Sequence, residues 1–204
     1  MLNLDAKYKC ILANERAWAA YLAGSVKKQR PISVWEVIMP LLLIFNFMRR
    51  RVDTDMFIQN FLFTKSLSLE AALRMKKDVC SREEAFAPIE AETRKLLTSL
   101  DDDVYSVSVR HKQLKEMDLL FEHYRKLLGA DGKDYAALVI DAYKTYEDYV
   151  GFLKQLKDTE KAVNLTSLET VGSRGDPEFV ALIEEKTDSW RMASAQEIFG
   201  ESDP

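Results

Sequence analysis

Residues 31–48 read Pro-Ile-Ser-Val-Trp-Glu-Val-Ile-Met-Pro-Leu-Leu-Leu-Ile-Phe-Asn-Phe-Met. This apolar island lies between two basic clusters: Lys27, Lys28 and Arg30 before it, Arg49, Arg50 and Arg51 after it. Such a run has to be covered by a protein core, a partner or lipid, because large contiguous apolar patches are unusual on soluble monomers. A helix rises about 1.5 Å per residue, so the 12 residues from Val37 to Met48 extend about 18 Å and the 17 from Ile32 about 26 Å. The hydrocarbon core of a bilayer is about 30 Å thick and takes about 20 apolar residues. The longer stretch also carries Ser33, Glu36 and Asn46. A central acidic residue costs roughly 2.5–3.5 kcal/mol, against roughly 0.3–0.6 gained per Leu, Ile, Phe or Val. Insertion as a span is therefore marginal.

The flanks argue further. A span usually carries its basic excess on the cytoplasmic side, whereas here both ends are basic. That symmetry fits a segment that lies in the membrane interface, or dips in and returns at Pro40. Lys27, Lys28, Arg30, Arg49, Arg50 and Arg51 would then contact anionic groups, with Trp35, Ile38, Leu41, Leu42 and Phe45 as apolar contacts. The competing placement is a helix buried in a bundle core or a homodimer seam, since a helix apolar all round is buried somewhere.

Charge divides the chain. Residues 1–80 hold 13 Lys and Arg against 7 Asp and Glu, a net of +6, and residues 81–204 carry a net of −10. An anionic surface would attract the first part and repel the second. Nucleic acid is not an expected partner, because the basic residues flank an apolar block rather than alternating along a polar face. Cys10 and Cys80 have no metal-ligand spacing and read as small buried hydrophobes on helices. The first apolar stretch contains Glu15 and Arg16, which does not fit a secretory signal, so the expected location is cytoplasmic, at the inner face of a membrane.

With only 7 Gly and 5 Pro in 204 residues, the chain favours long helices. Tyr8, Ile11, Leu12, Trp18, Ala19 and Leu22 repeat at helical spacing over 5–24, with Gly24 as the stop. Glu15 falls on the same face, a position for a rim residue or a paired carboxylate. Asp53, Thr54 and Asp55 can cap a helix to about Val79, and the island and this helix could form a hairpin. Phe57, Phe61 and Phe63 extend the apolar character beyond Arg51. Ser81 with Glu84 is a capping box, and Pro88 should kink or restart that helix. Asp101–Asp103 can cap a helix whose stripe is Val104, Val107, His111, Leu114, Met117, Phe121, Tyr124 and Leu128. Asp134 caps a long helix that continues to about Leu168. Asp176 caps the last one, with Pro177 at its first position and Phe179, Ile183, Trp190 and Ala193 on its apolar side.

No motif for chemistry stands out. His111 and His123 lie about 120° apart around one helix, and neither belongs to a His-Glu-x-x-His pattern. His111 reads as a hydrogen-bonded core or rim residue. Gly172-Ser-Arg-Gly lacks the Gly-Lys-Ser/Thr ending of a phosphate loop, and the Gly129 loop lacks the alternating acids of a calcium loop. The expected fold is all-α: an antiparallel helical bundle of about six or seven helices with an apolar N-terminal helical hairpin, basic over 1–80 and acidic over 81–204. The expected function is non-enzymatic, at a membrane surface or on a membrane partner, with no cofactor or metal. The runner-up is a soluble cytoplasmic bundle that buries the island in its core or a homodimer interface. Third is an enzyme or cofactor-binding bundle working near Glu15, Glu36 and His111.

Overall fold

The structure, a computed structural model, describes residues 1–27, 54–78 and 80–200. Within them the chain forms seven α-helices and no strand. They are α1 (Leu4–Lys27), α2 (Thr54–Lys77), α3 (Arg82–Ser99), α4 (Val107–Gly129), α5 (Tyr135–Tyr143), α6 (Tyr146–Val171) and α7 (Pro177–Phe199).

Successive long helices reverse direction. Asp5 meets Lys77 while Trp18 meets Phe61, which sets α1 antiparallel to α2. Phe86 meets Phe121 and Arg110 reaches Thr93, which sets α3 antiparallel to α4. Ser106 contacts Thr170 while His123 stacks on Phe152, so α6 runs against α4. Asn164 reaches Glu184 and Glu160 reaches Arg191, so α7 runs against α6. Each of α1, α2, α4, α6 and α7 packs on the next, and α7 closes back on α1. The result is a ring of five long helices, with α3 laid outside against α2 and α4 and the short α5 between α4 and α6. The main apolar cluster includes Ile11, Leu69, Ile89, Phe121, Leu138 and Leu153. A second, of Leu22, Ala23, Phe57, Phe179 and Val180, closes the end where α1 finishes and α2 begins.

Three of the caps are those the sequence spells out. Ser81 and Glu84 bond reciprocally at 3.1 and 2.8 Å, and Asp134 and Asp176 accept the amides of Ala137 and Phe179 at 2.9 Å each. Several expectations are corrected. Gly24 does not stop α1, which runs on to Lys27. Pro88, which is exposed, does not restart the helix: α3 runs through it from Arg82 to Ser99. The long helix from Asp134 breaks after Tyr143, where Lys144 takes a φ of 67° and Thr145 caps α6 through the amide of Asp148 at 3.1 Å. That break brings Tyr143 onto His123.

Ser106, not the aspartate run, caps α4. Tyr105 just before it is buried with its hydroxyl on Gln113, so the buried face at the start of the helix passes through Val109 and Gln113. Val107 and His111 are consequently exposed. Cys80 lies in the turn between α2 and α3 and is half-buried, as is Cys10. Because His111 is exposed, His111→Gln is expected to change stability by less than about 0.5 kcal/mol, the usual range for surface sites, in urea unfolding.

Candidate functional site

Two features qualify. The first is the end of the α1–α2 hairpin that carries the island. Lys27 is the last residue of α1, while Lys28, Arg30, Trp35, Ile38, Leu41, Leu42, Phe45, Arg49, Arg50 and Arg51 lie outside the described residues, as does Glu36. Antiparallel pairing puts Lys27 and Thr54, the residues bounding that stretch, at one end of the hairpin. Phe57 and Phe61, read from sequence as an extension of the island, pack inside the bundle instead. Phe57 is 2% exposed among Leu22, Phe179 and Val180. Phe61 sets its edge on Trp18 at 4.6 Å between ring centroids.

The second feature is a cluster of charges inside the ring, which no motif in the sequence marks. Each of the five ring helices contributes a charged residue to one interior cluster: Glu15 from α1, Lys65 from α2, Glu116 from α4, part-buried Glu160 from α6 and Arg191 from α7. Arg191 grips Glu160 with two parallel hydrogen bonds of 2.6 and 2.7 Å. Its guanidinium also lies 4.7 Å from the Trp18 ring centroid. Lys65, 4% exposed, stands 3.8 Å from Glu15 and 4.0 Å from Glu160, with its ammonium 4.8 Å from the Trp18 ring. Glu15 accepts the Tyr124 hydroxyl at 2.9 Å. Burial alone would raise Glu160, but the charge of Arg191 and its hydrogen bonds, helped by Lys65, outweigh that and hold the carboxyl below its usual range.

Glu116 is different. It is 8% exposed, and the hydrogen bond made to it is from the Thr64 hydroxyl at 3.2 Å. Among the described ion pairs none includes it. Burial first, and the negative charge of Glu160 second, push its carboxyl up to about 7. His123 is a neutral neighbour: burial, with the charges of Lys65, Lys126 and Arg191, pulls it down to about 3. Its Nδ1 lies 2.7 Å from the Tyr143 hydroxyl, and its ring stacks on Phe152 at 4.3 Å.

Two cavities flank this cluster. A cleft of about 130 Å³ opens between α2, α4, α6 and α7, lined by the charged Glu116, Lys65 and Arg191 and by the apolar Phe61, Val163 and Ile183, among others. A smaller cavity of about 30 Å³ lies on the Glu15 side, against Trp18, His123 and Tyr135. It has room for a water molecule, which could serve Glu15 Oε2 and Trp18 Nε1, both buried without a hydrogen-bond partner.

The combination of Glu15, Glu36 and His111 considered for an enzyme does not assemble among the described residues. Glu15 is buried, and His111 is exposed more than three helical turns before Tyr124, which Glu15 touches. Among the described residues there is no group of three His, Cys, Asp or Glu placed to hold a metal ion, and no helix long and apolar enough to cross a membrane. The interior charges left one trace in the sequence: Lys65 sits between Leu62 and Leu69, Glu116 beside Met117, Glu160 between Leu156 and Val163, and Arg191 beside Trp190. Each interrupts an apolar stripe at core spacing. No protein-family model, no curated protein and no solved structure matches this chain.

Proposed function

We propose that the protein has no catalytic activity of its own and attaches to an anionic membrane surface, at the inner face of a membrane, through the basic-flanked island. The observation that carries this reading is the antiparallel pairing of α1 and α2. It gives the segment after Lys27 and before Thr54 its exit and its return at one end of the bundle. Lys27 and Thr54, which bound the segment, lie at the same end, as the ends of a surface-lying or re-entrant segment must and those of a single span do not. Charge favours the same orientation: the acidic net of −10 over residues 81–204 is repelled by the surface that attracts residues 1–80. The contact is assigned to Lys27, Lys28, Arg30, Trp35, Ile38, Leu41, Leu42, Phe45, Arg49, Arg50 and Arg51, while Phe57 and Phe61 are engaged in the bundle.

The full chain is expected to float with anionic vesicles, less with neutral ones, and less again at high salt. Each basic residue near such a surface contributes roughly 1 kcal/mol, so changing Arg49, Arg50 and Arg51 to Gln should weaken partitioning on the order of 100-fold with thermal unfolding unchanged. A folded sample that ignores both vesicle types at every salt concentration would end the proposal. If such a sample sedimented as a dimer, and Leu42→Arg made it a folded monomer, the island would belong to a homodimer seam.

A further inference from the structure

The cluster inside the ring is one positive charge short. Glu15, Glu116 and Glu160 face Lys65 and Arg191, and the pairs recorded among the described residues use both cations on Glu15 and Glu160. Of the other charged residues lining the cleft, Lys157 pairs with Asp188 at 2.7 Å, and exposed Lys161 and part-buried Glu184 add one charge of each sign. Glu116 is therefore the unmatched group. It is more than nine-tenths buried, lines a cleft of about 130 Å³ and accepts one hydrogen bond, at 3.2 Å from Thr64. A buried carboxylate is costly unless it is paired or protonated. Beside it the Asn60 side chain keeps a buried Nδ2 without a partner. The walls formed by Phe61, Val163, Val180 and Ile183 suit hydrocarbon.

We propose that this cleft binds a small organic amine, its ammonium group on the Glu116 carboxylate and its hydrocarbon body against Phe61, Val163, Val180 and Ile183. One monovalent cation restores neutrality to the cluster, whereas an anion would add to its excess negative charge. Lys65 does not occupy this place because its ammonium is held between Glu15 and Glu160 and over the faces of Trp18 and Phe61. An apolar cavity of about 150 Å³ takes a benzene-sized molecule, so the ligand has on the order of six non-hydrogen atoms. In the unliganded protein a proton on Glu116 does what the ammonium would do, and the two compete. The charged and titratable groups around Glu116 are Lys65 from α2, Glu160, Lys157 and Lys161 from α6, and Arg191, Glu184 and Asp188 from α7, with Glu15 of α1 behind Lys65.

The probe is n-butylamine, with n-butanol as neutral and butyrate as anionic counterpart, titrated into the full chain by calorimetry at fixed ionic strength. The amine is expected to bind and the other two not. The amine remains protonated across the range used, so its affinity should fall about 30-fold from pH 8 to pH 5.5 as the proton takes its place. At pH 6, titrations in buffers of different ionisation enthalpy should show nearly one proton released per amine bound. Glu116→Gln, a neutral isostere that still accepts from Thr64, should lower the affinity at least tenfold while remaining folded by thermal melting. Butyrate binding as tightly as the amine, or amine binding without proton release at pH 6, would overturn the proposal using the unmodified protein alone. Undiminished binding to folded Glu116→Gln would do the same.

Discussion

Arg191→Met should destabilise the protein by up to about 3–5 kcal/mol at neutral pH, because it removes the buried half of an ion pair and strands Glu160, whose side chain is only 22% exposed. The guanidinium is the only group making short bonds to Glu160 among the described residues, at 2.6 and 2.7 Å. Without it Glu160 retains Lys65 at 4.0 Å and gains nothing from Glu116, a like charge. Methionine fills much of the space over Trp18, so lost packing is the smaller part of the loss. The variant should recover stability as pH falls, because protonating Glu160 then removes the stranded charge. The double change Arg191→Met with Glu160→Met discards the pair altogether. It should be far less damaging than the single change, since replacing a buried pair with apolar groups of similar volume is often neutral or stabilising by about 1–4 kcal/mol. Urea unfolding of the three proteins decides it. A single variant that loses under 1 kcal/mol, with no recovery in the double, would mean that Glu160 reaches water easily and the pair is a surface one.

The fold was legible because helices state their periods and their ends. Ser81 with Glu84, Asp134, and Asp176 with Pro177 are local chemistry, and local chemistry survives into the structure unchanged. The errors came where tertiary packing chose between local options. Tyr146 and Tyr149 continue the apolar spacing of Tyr135 and Leu138, so nothing in the period announces the break at Lys144. The break follows from seating Tyr143 on His123, a contact across 20 residues. Likewise Val107 and His111 extend the stripe of α4 in sequence, but Tyr105 takes the interior place and turns both outward.

The interior charges were harder to see for a different reason. A charged residue on an apolar stripe is ordinarily a rim residue whose stem lies along the core and whose head reaches water. Glu15 was read in that way, and its partnership with Lys65 fits the paired alternative. That five such residues meet at the centre is a property of ring closure. It depends on α7 lying between α6 and α1, which no spacing within a single helix encodes.

Glu116 and His123 together should give the protein a stability plateau between about pH 4.5 and 6.5, with a steep fall on the acid side and, on the alkaline side, a shallow step of under about 1 kcal/mol that ends near pH 7. The folded state holds a proton on Glu116 up to about pH 7, while an ordinary glutamate loses it at 4.5. Between those values the folded state binds more protons, so stability declines as pH rises; the full decline across the window is about 3 kcal/mol. His123 works in the opposite sense. Its folded value of about 3 lies below the ordinary 6.5. Between those values the unfolded chain binds more protons, so the contribution of His123 is complete above pH 6.5 and is lost as pH falls, by about 4 kcal/mol at pH 3 and about 5 below it. Where the windows overlap the two slopes cancel. Below pH 4.5 His123 acts alone from this pair, joined by Glu160, whose depressed carboxyl also makes stability fall with acid. Glu116→Gln should therefore leave the His123 slope unopposed, so that the variant gains stability with pH up to about 6.5 and is up to about 3 kcal/mol more stable than the unmodified protein at pH 8. His123→Asn should instead lower stability near neutrality, through its lost stacking on Phe152, and flatten the acid limb so that the two unfolding curves converge toward pH 4. Urea unfolding at pH 4, 5.5, 7 and 8.5 separates the two limbs. Parallel profiles for Glu116→Gln and the unmodified protein between pH 5.5 and 8.5 would show that Glu116 is already ionised throughout, and would place a cation beside it in the folded state.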